Sequence, residues 1–222
     1  HSLRRRQRQM CIRDRGILRV RVYRKPKIGI VAIGSELSDQ VVAPSTKTIP
    51  ASSNILVRHI IEYYGGDVRY EAIVGDDPRE IVGVVEDVRK LVDMVVTIGG
   101  VSMGPRDYTW TSLMDYYKPD KWFRGLKIHP ARSTSGLVID NTIVVNLPGL
   151  PQSTIAGSLF TIIPLLNYLQ GLGLEHRLPY IEARLGNRVV LDKYLGFYRV
   201  RYARIDYDRG EAYIESRVES YH

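Results

Sequence analysis

The sequence predicts an α/β fold: a three-layer αβα domain with a mostly parallel sheet, followed by a small C-terminal antiparallel β module. The first observation is that short apolar runs alternate with amphipathic helical segments between residues 27 and 172. Right-handed crossovers between such units place the strands in parallel, with helices on both faces of the sheet. The second observation is a change to alternating apolar residues in the segment 173–222, which is typical of antiparallel strands.

Each strand of the main domain is predicted from a run of β-branched and other apolar residues. The predicted strands are Lys27 to Ile33, Val68 to Val74, Met94 to Ile98, Trp122 to Ile128, Gly136 to Ile139 and Ile143 to Leu147. The helices follow from capping residues and from the spacing of apolar side chains. The predicted helices are Ser52 to Tyr64, a segment from Pro78 that carries Leu91, Tyr108 to Tyr117, and Gln152 to Leu169 with a kink at Pro164.

Two segments flank this domain. Gly16 to Arg24 alternates and predicts the end of a strand from a preceding domain, so residues 1–26 are assigned to a basic leader and that remnant. The C-terminal segment predicts three strands, at Tyr180 to Val190, Phe197 to Tyr207 and Glu211 to Val218. Because two or three strands rarely bury enough surface by themselves, we expect this module either to dock on the main domain or to be an incomplete domain that lacks its continuation.

Positive charge is concentrated at the start of the chain. Residues 1–27 hold 11 of the 32 Lys and Arg residues and one acid, Asp14, so the remainder has 21 basic and 23 acidic residues. Clustered arginines bind phosphates of any nucleic acid, but no aromatic residues are interleaved here for base stacking. An unstructured leader or a non-native extension is therefore favoured over a nucleic-acid-binding arm.

Cysteine usage and hydropathy limit the class of protein further. The single cysteine, Cys11, excludes a disulfide framework and a cysteine metal site and fits a cytoplasmic protein. No run approaches the roughly 18 consecutive apolar residues of a membrane-spanning helix. We therefore expect a cytoplasmic protein with no membrane partner.

The most informative stretch runs from Val95 to Asp107. A β-branched strand ends there in Gly99-Gly100, and a helix follows, so main-chain N–H groups converge on one point and favour an anion. A tight turn with no ligand is the alternative interpretation. Asp107 favours the anion-binding interpretation, because a carboxylate beside a phosphate-binding turn usually needs a divalent cation between the two charges. Asp107 is expected to lie in an exposed turn.

Six motifs occur in the order found in one known family. They are IGSEL at 33–37, SSN at 52–54, GDDP at 75–78, GGVSMGPRD at 99–107, HPAR at 129–132 and LPGLPQS at 147–153. Together they resemble the molybdopterin-binding domain of the molybdopterin molybdotransferases, the molybdenum insertases that include the E domain of gephyrin. The segment after Gly173 resembles the C-terminal domain of that family, and the resemblance extends over roughly residues 17–218.

The resemblance implies a function and a set of site residues. It implies insertion of molybdate into adenylylated molybdopterin with release of AMP, dependence on Mg²⁺, and a homo-oligomer, either a dimer or a trimer. The implied substrate-binding residues are Gly34, Ser35, Asn54, Gly99, Gly100, Ser102, Gly104, His129, Arg132, Pro148, Gly149 and Ser153. Asp107, Ser102 and Glu36 are the implied catalytic residues, and Asp107 and Asp77 the implied metal ligands. Its position before Pro78 favours a structural role for Asp77, as the cap of the following helix, over a role in the site.

This chain departs from the family pattern at several of these positions. Ser35 and Ser52 stand where the family has aspartate, and Leu150 stands where it has asparagine. The family motif Lys-Pro-Gly-Lys-Pro is His129-Pro130-Ala131-Arg132-Ser133 here, which keeps one cation. Two alternatives to an insertase therefore stay open: a pterin-binding or scaffold protein without turnover, and a molybdopterin adenylyltransferase.

Overall fold

A computed structural model describes residues 16, 19–39, 48–101, 107–173, 179–190 and 196–214. The strands of the main domain are β1 (Lys27–Ile33), β2 (Leu37–Ser38), β3 (Ile49–Pro50), β4 (Asp67–Val74), β5 (Met94–Ile98), β6 (Trp122–Arg124), β7 (Ile128–His129), β8 (Ser135–Ile139) and β9 (Thr142–Leu147). The helices are α1 (Ser52–Tyr63), α2 (Pro78–Arg89), α3 (Tyr108–Tyr117), α4 (Pro151–Phe160) and α5 (Ile162–Leu169). The C-terminal strands are β10 (Arg184–Leu185), β11 (Tyr198–Arg199), β12 (Ala203–Asp206) and β13 (Glu211–Ile214).

The predicted three-layer architecture is confirmed. The central sheet has the strand order β4-β1-β5-β9-β8-β6. Strands β4, β1, β5 and β9 are parallel, and β8 and β6 add antiparallel strands at one side. Helices α2 and α3 cover one face through Val85 and Leu113, and α1 and α5 cover the other through Ile61 and Leu166. All four of these side chains are fully buried.

Three expectations about individual elements are wrong. Residues 19–25 form no strand; Val22 is 79% exposed, and Arg24 instead makes an ion pair of 2.6 Å with Asp93. The last long helix breaks at Thr161 rather than at Pro164. Pro164 lies in the first turn of α5, where its missing N–H has no carbonyl partner to lose.

The third wrong expectation is the continuous strand from Trp122 to Ile128. It divides into β6 and β7 because Gly125 has a φ of 84°, which turns the chain between them.

The C-terminal segment is less regular than its alternating sequence indicates. Strands β12 and β13 are antiparallel as expected and are joined by a turn at 207–210, but β10 pairs with β13 in parallel. Strand β11 leaves this small sheet and pairs in parallel with β7 of the main domain. The expected docking on the main domain is therefore made by backbone hydrogen bonds. Among the described residues, no helix is long and apolar enough to cross a membrane.

A polar cluster ties α2 to α3 at the edge of the sheet opposite the carboxyl ends of the parallel strands. Glu86 accepts hydrogen bonds from Arg89 at 2.6 and 3.0 Å and from the hydroxyl of Tyr117 at 2.9 Å. Lys90 lies 3.0 Å from the same carboxylate, and Arg89 also donates to Asp140 at 2.8 Å. Donation from Arg89, and next from Lys90, lowers the pKa of Glu86 from 4.5 to about 2.

This cluster predicts a pH-dependent difference in stability. Because the pKa of Glu86 is lowered in the folded state, its contribution is fully present above pH 4.5 and is lost as the pH falls through about 2. We expect Glu86→Gln to lower the Tm at neutral pH, and the difference from the parent chain to vanish towards pH 2. The matched control is Glu62→Gln on α1, where the partner Arg58 is 3.8 Å away. A Glu86→Gln difference that stays constant with pH would contradict this account.

Candidate functional site

The predicted site residues follow the carboxyl ends of the parallel strands. Gly34 follows β1, Gly99 follows β5 and Pro148 follows β9, and these three strands are adjacent in the sheet. Ligands of open α/β sheets bind at this edge, because the loops from several strands converge there. The structure therefore brings the loops of the predicted site to one edge of the sheet.

The glycine turn is held tightly against the start of α3. Gly99 and Gly100 have φ values of 94° and 62°, which glycine adopts most readily. The Gly99 N–H donates to Leu147 at 3.0 Å, and the Thr109 hydroxyl and N–H donate to the carbonyls of Gly99 and Gly100, each at 3.2 Å. The turn and the helix N-terminus thus form one rigid unit. Ser102 and Gly104 lie outside the described residues.

A second glycine loop lies beside this turn. A side-chain carbon added at Gly149 would meet the Cα of Gly99 at 3.5 Å, so the two backbones are close neighbours. The hydroxyl of Ser53 donates to the carbonyl of Gly149 at 2.7 Å and fixes the start of α1 against this loop. In the same turn of α1, the carboxamide oxygen of Asn54 is buried and has no hydrogen-bond partner within the described ranges. That oxygen is available to a ligand donor.

A cavity of about 300 Å³ opens next to these loops. It is lined by Val101, His129, Pro130, Ala131, Arg132, Ser133, Pro148 and Ser153. His129, Arg132, Pro148 and Ser153 were all predicted as substrate-binding residues, although they come from two separate motifs. The cavity is at the lower end of the volume range of small-molecule sites and suits a small anion or one part of a larger ligand.

The wall formed by the HPAR motif has an unusual backbone. The peptide bond between His129 and Pro130 is cis, and Ala131 has a φ of 106° with only 3% of its surface exposed. A positive φ is unfavourable for alanine, and such positions cluster at ligand sites. The carbonyl of Arg132 accepts a hydrogen bond from Leu126 at 3.1 Å, which fixes the loop beside its guanidinium.

Asp107 is buried, so the expectation of an exposed turn is wrong. Only 4% of its surface is exposed, and it is the N-cap of α3, where Oδ1 accepts the N–H of Trp110 at 3.1 Å. Oδ2 accepts a hydrogen bond from Nη2 of Arg124 at 3.0 Å. Sequence reasoning missed Arg124, because its position beside Asp107 depends on the pairing of β6 with β8 and has no local signature.

The remaining predicted acids lie on the loops after β1 and β4. Asp77 caps α2 by accepting the N–H of Arg79 at 2.7 Å, which confirms the predicted capping role. Ser35 donates its N–H and its hydroxyl to Asp76, both at 3.1 Å. The Glu36 carboxylate folds over Gly34, where a side-chain carbon would meet its Oε1 at 2.8 Å.

Asp76 and Asp77 lie on a loop whose strand is not a neighbour of β5, the strand before Asp107. With strands about 4.8 Å apart, β4 lies roughly 10 Å from β5, on the far side of β1. The described part of the chain contains no group of three or more His, Cys, Asp or Glu side chains that could hold a metal ion. The structure thus keeps the two predicted metal ligands on separate loops.

Arg199 is a second residue that the sequence did not reveal. It lies on β11 opposite His129 of β7, and the Val200 N–H donates to the His129 carbonyl at 2.9 Å. One terminal nitrogen of Arg199 is buried and lacks a hydrogen-bond partner among the residues described. The C-terminal module therefore places an arginine opposite His129, which itself lines the cavity.

Comparison with known proteins identifies the same region. Residues 29–168 match the family model described as "Probable molybdopterin binding domain". A molybdopterin molybdenumtransferase of Haemophilus influenzae is 26% identical over 202 residues, which are 91% of this chain and 47% of that protein. A protein of the same name from Staphylococcus aureus is 28% identical over 159 residues, 70% of this chain and 37% of its own length. The chain thus spans less than half of either relative.

A solved structure is similar in fold over nearly the whole chain. The molybdopterin biosynthesis moeA protein of Pyrococcus horikoshii has a TM-score of 0.76, with 22% identity over 94% of this chain and 50% of its own. The family match contains both glycine loops, the acids after β4 and the HPAR motif. The chain therefore belongs to the family of the molybdopterin-binding domain.

Proposed function

We propose that this chain binds adenylylated molybdopterin at the carboxyl edge of its sheet and inserts molybdate into it, releasing AMP. The observation that carries this proposal is the cavity that joins His129 and Arg132 to Pro148 and Ser153 beside the glycine turn. Relatives named molybdopterin molybdenumtransferase support the reaction class. The proposal also includes the expectation from the sequence that the protein is a cytoplasmic homo-oligomer. Light scattering would measure the mass of that oligomer.

The site residues divide into two roles. The N-terminus of α3, beside the Gly99-Gly100 turn, directs the positive end of its helix dipole towards the phosphate of the substrate. The N–H groups of Gly99, Thr109 and Trp110 are already bonded within the chain and do not take part. Arg132 contributes a fixed positive charge to the cavity, and its planar guanidinium can donate to two oxygens of a phosphate or of molybdate at once. The unpaired oxygen of Asn54 is suited to accept an N–H of the pterin ring.

The resemblance also implies Mg²⁺, and the donor set of this chain fits that ion poorly. Mg²⁺ prefers six oxygen ligands at 2.0–2.1 Å, commonly with one or two carboxylates. Both carboxylate oxygens of Asp107 already have donors, and Asp77 is used as a helix cap on another loop. We therefore assign no step of the reaction to a metal at Asp107.

The test of the proposed function is AMP release. The full chain is incubated with adenylylated molybdopterin and molybdate, once with EDTA and once with Mg²⁺, and AMP is measured by chromatography. Release of AMP that depends on molybdate is the expected result. Binding of the pterin without AMP release would support the scaffold alternative, which the serines at 35 and 52 favour. Consumption of ATP with molybdopterin would support the adenylyltransferase alternative.

Arg132 provides a second, quantitative test. Arg132→Ala should weaken pterin binding by roughly 1.5 to 3 kcal/mol, the usual range for a hydrogen bond to a charged group. Isothermal titration of the pterin measures the change. Arg69→Ala is the matched control, since it removes the same charge from an exposed ion pair with Asp67 on β4. Equal affinities for the parent chain and Arg132→Ala would place the anion away from the cavity.

A further inference from the structure

The environment of Asp107 differs from that of a metal ligand. The side chain is 4% exposed, Oδ1 accepts the Trp110 N–H at 3.1 Å, and Oδ2 accepts from Arg124 at 3.0 Å. A buried carboxylate is stable only when its charge is compensated by donors or by a cation. Here one helix N–H and one guanidinium supply that compensation from within the chain.

The guanidinium of Arg124 is held in place from two sides. Its central carbon lies 5.5 Å from the ring of Trp110, a distance typical of a cation–π contact. Its backbone is part of β6, opposite Ser135, and the next residue, Gly125, donates to Thr134 at 2.9 Å. Trp110 is itself buried on α3. The cation is therefore positioned by the sheet and by the helix that Asp107 caps, before any ligand arrives.

Within the described ranges, other acidic side chains do not complete a metal site around Asp107. Asp76 binds Ser35, Asp77 caps α2, and the described residues contain no cluster of three potential metal ligands. The sequence segments 40–47 and 102–106, which lie outside the described ranges, contain no Asp, Glu, His or Cys. Neither segment has a carboxylate or an imidazole to add to the site.

We propose that Arg124 supplies at Asp107 the positive charge that the family resemblance assigns to Mg²⁺, so that this chain holds its anionic ligand with fixed cations alone. The inference rests on the proposed function for the identity of the ligand, but not for the state of Asp107. Arg124 is a positioning residue: it fixes Asp107 and through it the N-terminus of α3, while Arg132 in the cavity meets the anion. A fixed guanidinium needs no metal to be recruited before the anion binds.

The direct test uses Mn²⁺ as a paramagnetic substitute for Mg²⁺, since both ions prefer oxygen ligands. Electron paramagnetic resonance measures Mn²⁺ bound to the full chain in the presence of molybdate. We expect no stoichiometric Mn²⁺ in the parent chain and one equivalent in Arg124→Gln, where the Asp107 carboxylate has lost the Arg124 guanidinium. The double variant Asp107→Asn, Arg124→Gln should lose that equivalent again. One equivalent in the parent chain that disappears in Asp107→Asn would overturn the proposal.

Anion affinity gives an independent measurement that needs no variant to fold. Phosphate titrated into the parent chain by calorimetry should bind equally in EDTA and in millimolar Mg²⁺, whereas a large gain of affinity with Mg²⁺ would overturn the proposal. Arg124→Lys, which retains a charge, should stay independent of Mg²⁺. A failure of AMP release in both EDTA and Mg²⁺ would contradict the proposed function, while the Mn²⁺ result would still decide the state of Asp107.

Discussion

Gly99→Ala should strongly destabilise the fold and abolish binding of the pterin. The new Cβ would lie 2.3 Å from the carbonyl oxygen of Ile33, a backbone atom of the neighbouring strand that cannot rotate away. The φ of 94° adds strain, because alanine rarely adopts it. We expect the free energy of unfolding to fall by about 2 to 3 kcal/mol, the upper range for strained backbone positions. The anion-binding turn should also be displaced.

Urea unfolding and calorimetric titration of the pterin measure these two effects. Gly83→Ala is the matched control: it lies inside α2, a Cβ there would meet nothing within 4 Å, and its φ is ordinary for a helix. That substitution should stabilise the protein by about 0.5 to 1 kcal/mol, because alanine favours helices over glycine. Gly99→Ala with the stability and affinity of the parent chain would show that the turn does not require glycine.

Asp107→Ala should be the second most damaging change. It removes the N-cap of α3, which costs about 1 kcal/mol, and it leaves the partly exposed guanidinium of Arg124 without its carboxylate partner. Breaking this ion pair lowers the free energy of unfolding by roughly a further 2 kcal/mol. This is less than the roughly 3 to 5 kcal/mol for fully buried pairs, because the Arg124 side chain is 36% exposed. The expected total is therefore about 3 kcal/mol.

The matched control is Asp77→Ala, since Asp77 caps α2 with an exposed side chain that accepts only backbone N–H groups among the described residues. In urea unfolding, the free energy of unfolding of this control variant should fall by only about 1 kcal/mol. A cycle with Arg124→Gln isolates the contribution of the ion pair. If Asp107→Ala cost no more than Asp77→Ala, the ion pair would contribute nothing to the fold.

The main sheet was readable from the sequence because its strands are continuous apolar runs. The predicted strand from Lys27 to Ile33 matches β1, and the helix predicted from Tyr108 to Tyr117 matches α3. Buried parallel strands and capped helices leave strong local signals. The short strands of the C-terminal segment leave weaker ones, because their pairing with distant partners decides where they begin and end.

The candidate site was predictable only in part, for the same reason. Glycines and the HPAR motif are recognised locally, and the structure brings His129 and Arg132 into one cavity. The partners of the acids are not recognised locally: Arg124 is 17 residues from Asp107, and Ser35 is 41 residues from Asp76. The burial of Asp107 could therefore not be predicted from its glycine-rich surroundings, because it depends on β6, a strand that follows it in the chain.

Strand β11 makes the C-terminal segment part of the cavity's architecture. Tyr198 of β11 and Val200, the residue after this strand, donate to the carbonyls of Lys127 and His129, immediately before the cis peptide bond of the cavity wall. Deleting or exchanging this segment would remove the hydrogen-bond donors of those carbonyls and loosen the loop that carries Arg132. A chimera with a related protein should therefore exchange β7 and β11 together. A single protease cut between residues 173 and 196 that leaves β11 paired with β7 should not reduce ligand binding.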